Sequence, residues 1–147
     1  MRAVTERAMG LASGLSLRAR VEPERLATGR RGTLIVEVGI PQGCHIEPHK
    51  PSEPFLIPTE LLIEPPEDMT VRAVIYPPDE ERTCKWSPAV LRVYRGTVAL
   101  TAPIQVHTHA WPGARPLSGR VRYQGCTEAV CLPPAEQHFD ATLDVVE

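Results

Sequence analysis

Leu15-Ser16-Leu17-Arg18-Ala19-Arg20-Val21-Glu22 alternates apolar and polar residues without a break, and Leu34, Val36, Val38 and Ile40 repeat the pattern. Successive side chains of an extended chain point to opposite faces, so each run reads as a strand with one face on a core and the other in water. The same reading applies to Phe139, Ala141, Leu143 and Val145, which alternate with Asp140, Thr142 and Asp144. Further strand candidates are Leu61 to Ile63, Val71 to Ile75, Leu91 to Tyr94, Val98 to Val106 and Val121 to Gln124, about eight in all.

Prolines and glycines punctuate nearly every gap: Pro41 and Gly43, Pro48 to Pro58, Pro65 and Pro66, Pro77 and Pro78, and Pro112 to Pro116. No long stripe of helical period appears. The expected architecture is all-β, an immunoglobulin-like antiparallel β-sandwich, formed by one domain over residues 12–147. Residues 1–11 read as an N-terminal tail to which no role is assigned.

At 147 residues the chain is long enough to bury a core without depending on disulfides, which leaves its 4 cysteines available for chemistry. The net charge of −2 is scattered along the chain, so no nucleic-acid partner is expected. No apolar run approaches the roughly 20 residues that cross a bilayer, and the first ten residues lack the apolar centre of a signal peptide. An export signal or membrane anchor elsewhere in a longer protein would nevertheless suit a redox-active pair.

That pair lies in Tyr123-Gln124-Gly125-Cys126-Thr127-Glu128-Ala129-Val130-Cys131-Leu132-Pro133-Pro134. Five extended steps at about 3.3 Å would hold the sulfurs roughly 17 Å apart, far beyond disulfide reach, so a bridge requires the segment to turn back. Gly125 gives backbone freedom before the first cysteine, and Pro133 and Pro134 end regular structure after the second. A ring this small stabilises the fold by only about 2 kcal/mol on the loop-entropy model, against about 4 for one of some forty residues. A weak staple in a reachable loop suits a bond that opens and closes, and this reading is preferred to a purely structural clamp. No Lys, Arg or His lies within the ring and Glu128 does, so neither thiol is expected to be strongly acidified. A thioredoxin fold is excluded, because Cys-x-x-Cys beside a strand-helix-strand unit is missing.

A β-sandwich ending in Tyr-Gln-Gly-Cys-x4-Cys-Leu-Pro-Pro and one more alternating strand resembles the N-terminal periplasmic domain of the thiol:disulfide interchange protein DsbD, the disulfide bond corrector family. Gly43-Cys44-His45-Ile46 with Lys50-Pro51 is similar to that family's Gly-aromatic-His-Ile stretch, Tyr76-Pro77 to its Tyr/Phe-Pro, and Tyr94-Arg95-Gly96 to its Tyr-x-Gly. The resemblance implies that Cys126 and Cys131 are the catalytic, reversible disulfide, that Cys131 makes the mixed disulfide with partners, and that Cys126 resolves it. It further implies a thioredoxin-like domain as electron donor and a disulfide isomerase or cytochrome c maturation protein as acceptor. A periplasmic or otherwise extracytoplasmic location, attachment to a membrane domain in a longer protein, and a cap loop over the pair follow from the same likeness. The cap's counterpart lies between Pro78 and Pro88, with Asp79, Glu80, Glu81 and Trp86 as its candidate residues. Cys84 is an extra cysteine there, and Cys44 replaces the expected aromatic.

No bound cofactor is expected, since the cysteines themselves carry two electrons. Cys44, His45, His49, His107 and His109 are metal-ligand types, but their spacing matches no metal motif and no metal is assigned. Cys44 and Cys84 are open to pairing with one another or to remaining single. Trp86 and Trp111 read as packing or loop-covering aromatics, Phe55 as a core residue, and Tyr123 as inward-facing. Two other functions stand beside exchange: a binding module whose small disulfide locks a loop, and a metal-binding domain.

Overall fold

The computed structural model describes residues 14–84 and 87–147, the side chains of 84–89 excepted. The expected tail, residues 1–11, and Trp86 lie outside the described residues. Among those described there is no helix, and the all-β, immunoglobulin-like expectation holds.

Two four-stranded sheets face one another. The first runs in the order β1 (Ser16–Glu22), β3 (Arg31–Gly39), β9 (Thr97–Val106), β6 (Met69–Val71), all antiparallel. The second runs β2 (Arg25–Ala27), β12 (Ala135–Val146), β10 (Gly113–Tyr123), β5 (Glu60–Glu64), with β2 parallel to β12 and the rest antiparallel. Leu34, Val36 and Val38 of β3 and Leu100, Ala102 and Ile104 of β9 point inward to meet Leu117 and Val121 of β10 and Phe139, Leu143 and Val145 of β12. These are the period-two positions of the alternating runs, and their burial between the two layers is what fixes strand register.

Several strands depart from the sequence reading. β10 extends back to Gly113 through a stretch read as a break, because Pro116 stands opposite Thr142 of β12 while the pairing with β5 begins only at Ser118. A proline without a ladder partner on its other side is tolerated there. The expected strand from Val71 to Ile75 is shorter: β6 ends at Val71 and Ile75 makes a single bridge to Thr101. The short β2, the pair β4 (His45–Ile46) and β11 (Gly125–Cys126), and the hairpin strand β7 (Glu80–Cys84) escape periodicity because two to five residues are too few to display it. The hairpin partner β8 (Ser87–Val93) begins earlier than the expected Leu91. Phe55, expected in the core, is instead 68% exposed in a proline-rich loop, and Trp111 is 81% exposed.

At Gly119, β10 passes close against the backbone of β5. A Cβ there would stand 2.0 Å from the Leu62 carbonyl oxygen and 3.0 Å from the Ile63 Cα, both backbone atoms that cannot rotate away. Gly119→Ala is expected to destabilise the domain by roughly 2 kcal/mol or more in chemical denaturation. Gly96→Ala, at φ 71° but with open space around it, is expected to cost about 1 to 2 kcal/mol from backbone strain alone. Equal stability of Gly119→Ala and the parent would contradict the close approach.

Candidate functional site

Cys126 and Cys131 are bonded to one another, and the turn between them brings their Cα atoms to 4.0 Å. Thr127 builds that turn: its N–H donates to the Val130 carbonyl at 2.8 Å, and its hydroxyl accepts the N–H groups of Ala129 and Val130 at 3.2 and 3.1 Å. The Leu132 N–H donates to the Gly125 carbonyl at 2.8 Å and closes the loop behind the bridge. Gln124 ties this loop to the neighbouring one by accepting the Ile57 N–H at 2.9 Å and donating to the Leu132 carbonyl at 3.3 Å.

The bond is asymmetric with respect to solvent. Cys126 is fully buried, whereas Cys131 is partly exposed beside exposed Ala129 and Val130. The expectation of a bond reachable from solvent thus fits the Cys131 residue, which is partly exposed, and not Cys126, which is buried. Cys126 is buried because β11 pairs with β4, Gly125 opposite Ile46 and Cys126 opposite His45. A turn sets β4 in place: the Cys44 N–H donates to the Pro41 carbonyl at 3.1 Å, and Gly43 sits at φ 81°, a conformation that suits glycine.

The other edge of β4 carries the hairpin. Ile46 and Tyr94 exchange both backbone hydrogen bonds at 2.9 Å, so the strand that flanks Cys126 also anchors the end of β8. The Tyr94 hydroxyl donates to the Pro77 carbonyl at 2.9 Å at the hairpin's entry. The acidic residues expected in a cap are engaged within the hairpin region: Asp79 and Glu81 with Arg92 at 2.6 and 3.0 Å, and Glu80 with Arg95. Contact with the disulfide loop comes instead from Arg82, whose guanidinium lies 3.7 Å from the Glu128 carboxylate. A cation thus reaches the ring from outside it, which spacing along the chain did not reveal. A cleft of about 520 Å³ bounded by Gly43, Cys44, Glu80 and Arg82 separates the hairpin from the turn before β4.

Behind the buried sulfur lie two titratable side chains, His45 and Glu47. Glu47 Oε2 is 3.9 Å from Cys126 Sγ and 3.7 Å from His45 Nε2, and both residues are buried. Among the described residues, neither His45 Nε2 nor Glu47 Oε1 has a hydrogen-bond partner. Burial pushes the Glu47 carboxyl up to about 7. Burial, with the Arg82 charge adding to it, pulls His45 down to about 4. Near neutrality the imidazole is uncharged and the carboxyl holds a proton for a large part of the time. Because the folded carboxyl keeps its proton above its ordinary 4.5, Glu47 costs stability increasingly as pH rises from there toward 7. His45 acts oppositely, costing stability as pH falls from 6.5 toward 4.

His45, Glu47 and Cys126 are three metal-capable residues whose ligand atoms lie within 4.8 Å of one another. With the sulfur held in a disulfide no thiolate is present, which leaves two donors. The other metal-ligand types named from sequence do not join them. His49 is stacked on Tyr76 with ring centroids 3.7 Å apart and contacts the Thr59 carbonyl through Nδ1, while His107 contacts the Thr70 hydroxyl and lies 5.8 Å from the ring of His109. Cys44 is buried in the core, and the Cys84 side chain lies outside the described residues. Tyr123 is buried, as its place on β10 implied.

Sequence reasoning found both bridged cysteines but missed Glu47, Arg82, Thr127 and Gln124. His45-Ile46-Glu47 has the alternation that puts an acid and an imidazole on one face, yet only the pairing of β4 with β11 brings that face to Cys126.

Among solved structures, the chain is similar to the N-terminal periplasmic domain of ScsB from Proteus mirabilis, with a TM-score of 0.52 and 15% identity over 87% of this chain and 44% of that one. It thus spans less than half of that structure, and the likeness bears on the fold. A family 123 glycoside hydrolase from Clostridium perfringens aligns at a TM-score of 0.40 and 9% identity, over 83% of this chain and 22% of the other. No curated protein matches the sequence. Residues 18–143 match the family described as thiol:disulfide interchange protein DsbD, N-terminal, and the chain belongs to that family.

Proposed function

We propose that the Cys126–Cys131 bond is a reversible disulfide that takes two electrons from the dithiol of a thioredoxin-like domain and passes them to extracytoplasmic proteins. Disulfide isomerases and cytochrome c maturation proteins are the acceptor classes, and the periplasm is the compartment. The family membership supports an exchange domain in general. What supports attack from one side is the asymmetry across the bond: Cys126 is buried and Cys131 is partly exposed.

Exchange begins when a thiolate attacks a disulfide sulfur in line with the bond. Cys131 is the sulfur open to a docked partner. Attack there joins the partner to Cys131 and leaves the electron pair on Cys126, which stays protected from competing thiols. A second thiolate of the partner then attacks its own sulfur in the mixed disulfide and releases Cys131. In the reverse direction Cys131 attacks an acceptor's disulfide and Cys126 resolves the adduct. The hairpin β7–β8 serves as the cap, its Arg82 resting on Glu128 of the bridged loop until a partner displaces it.

Mixed with an oxidised thioredoxin-like partner and quenched with acid, Cys126→Ala is expected to show a mixed disulfide formed as the Cys131 thiolate opens the partner's disulfide, visible as a shifted band on non-reducing gels, while Cys131→Ala gives at least tenfold less. Native resistance of the wild-type bond to a reduced thioredoxin-like domain would instead support a structural clamp. Arg82→Ala removes one partly exposed ion pair worth about 0.5 kcal/mol, so reduction of the oxidised protein by a small dithiol is expected to speed up about twofold. An unchanged rate would show that this contact does not restrain access.

A further inference from the structure

Opening the disulfide from the Cys131 side creates a difficulty at the other sulfur. The departing Cys126 sulfur receives an electron pair in a site without solvent contact, where an uncompensated thiolate is strongly disfavoured. Few groups stand near enough to neutralise it. Glu128 belongs to the ring but points to the surface, where it pairs with Arg82. His45 is uncharged near neutrality and has no extra proton to give. Among the described residues, Glu47 is the remaining titratable group beside the sulfur, with Oε2 at 3.9 Å and no hydrogen-bond partner on Oε1.

We propose that Glu47 is the general acid and base of the exchange, giving a proton to Cys126 Sγ as the bond opens and taking it back as the bond closes. The inference rests on the exchange reading above and adds to it the fate of the proton. In the forward step the partner's thiolate forms a bond to Cys131 Sγ, the Cys126–Cys131 bond breaks, its electron pair moves to Cys126, and the Glu47 proton follows. Cys126 becomes a neutral thiol and Glu47 a carboxylate. When the reduced domain later attacks an acceptor's disulfide through Cys131, the Glu47 carboxylate withdraws the proton from Cys126, whose thiolate then attacks Cys131 in the adduct. The acceptor leaves reduced, and the original disulfide and protonated carboxyl are restored.

The surroundings suit both halves of this cycle. Burial holds the Glu47 proton to about pH 7, close to the range in which a carboxyl both keeps and releases it readily. Among the described residues, the ionisable groups around Glu47 are His45 on β4, at 3.7 Å, and Cys126 on β11. Beyond them stands Arg82 of the hairpin, whose charge acts on His45 and is partly met by Glu128 of the bridged loop. The Thr59 hydroxyl donates to the Glu47 backbone carbonyl and so fixes the residue from the side of the neighbouring loop. A short β4 thus places an acid behind the sulfur that must leave, on the side away from the partner.

The test is the rate at which dithiothreitol reduces the oxidised wild-type protein and Glu47→Gln, taken as a ratio at each pH so that ionisation of the reagent cancels. The wild type is expected to be faster by at least tenfold near about pH 5.5, with the advantage shrinking through pH 7 to within about twofold by about pH 8.5. Glu47→Asp, which keeps an acid, is expected to recover part of the low-pH advantage. A ratio that does not change with pH overturns the proposal, since a merely structural loss would slow the reaction equally throughout. A second readout needs no variant: below pH 7, the wild-type reduction should show a larger solvent deuterium effect than a free linear disulfide reduced by the same reagent. Equality of the two effects also overturns it. Capture of a partner on Cys131 in Cys126→Ala does not involve the Glu47 proton, so failure of that capture would sink the exchange reading, whereas capture with a flat ratio would remove only the role of Glu47.

Discussion

The pairing of Gly125 and Cys126 with His45 and Ile46 is only two residues long, yet the rest of the site depends on it. It buries the first cysteine of the bridge while the turn built by Thr127 leaves the second partly exposed. Two chemically equivalent sulfurs become inequivalent through position alone. On the proposed route that difference decides which one a partner attacks and which one leaves, and the same pairing sets the buried sulfur against Glu47, a buried carboxyl.

The same short strand connects the bridge to the hairpin. Its far edge exchanges hydrogen bonds with Tyr94 at the end of β8, so the hairpin and the disulfide share a support. The large sheets take no direct part in the chemistry. Their contribution is rigidity: β10 leads into β11 through Gln124, and β3 leads into β4 through the turn at Pro41 to Gly43, so two strands from opposite layers deliver the two edges of the site. A bridged ring this small contributes about 2 kcal/mol to the fold, and opening it leaves the two-layer core in place.

Much of the architecture was legible in the chain because a core between two sheets demands alternation, and β1, β3, β9 and β12 carry it over seven or more residues. Turn-rich β10 was read too short, since Pro116 breaks a ladder only if both sides are paired. The bridged cysteines were legible for a different reason: their spacing forces a turn, and flanking glycine and prolines permit it. Glu47 and Arg82 were not, because their importance comes from contacts across 79 and 46 positions of sequence, with Cys126 and Glu128 respectively. Local pattern cannot report such contacts. Exposed Phe55 shows the converse limit: an aromatic residue in a proline-rich loop had no periodic neighbours to indicate its face.

The central claim is that the bond opens from the Cys131 side. It is tested most directly by mixing the oxidised wild-type protein with a reduced thioredoxin-like domain, quenching with acid at short times and mapping the transient adduct by peptide mass spectrometry. The account predicts the partner attached to Cys131, with Cys126 recovered as a thiol. A partner attached to Cys126, or a bond that remains closed throughout, would contradict it.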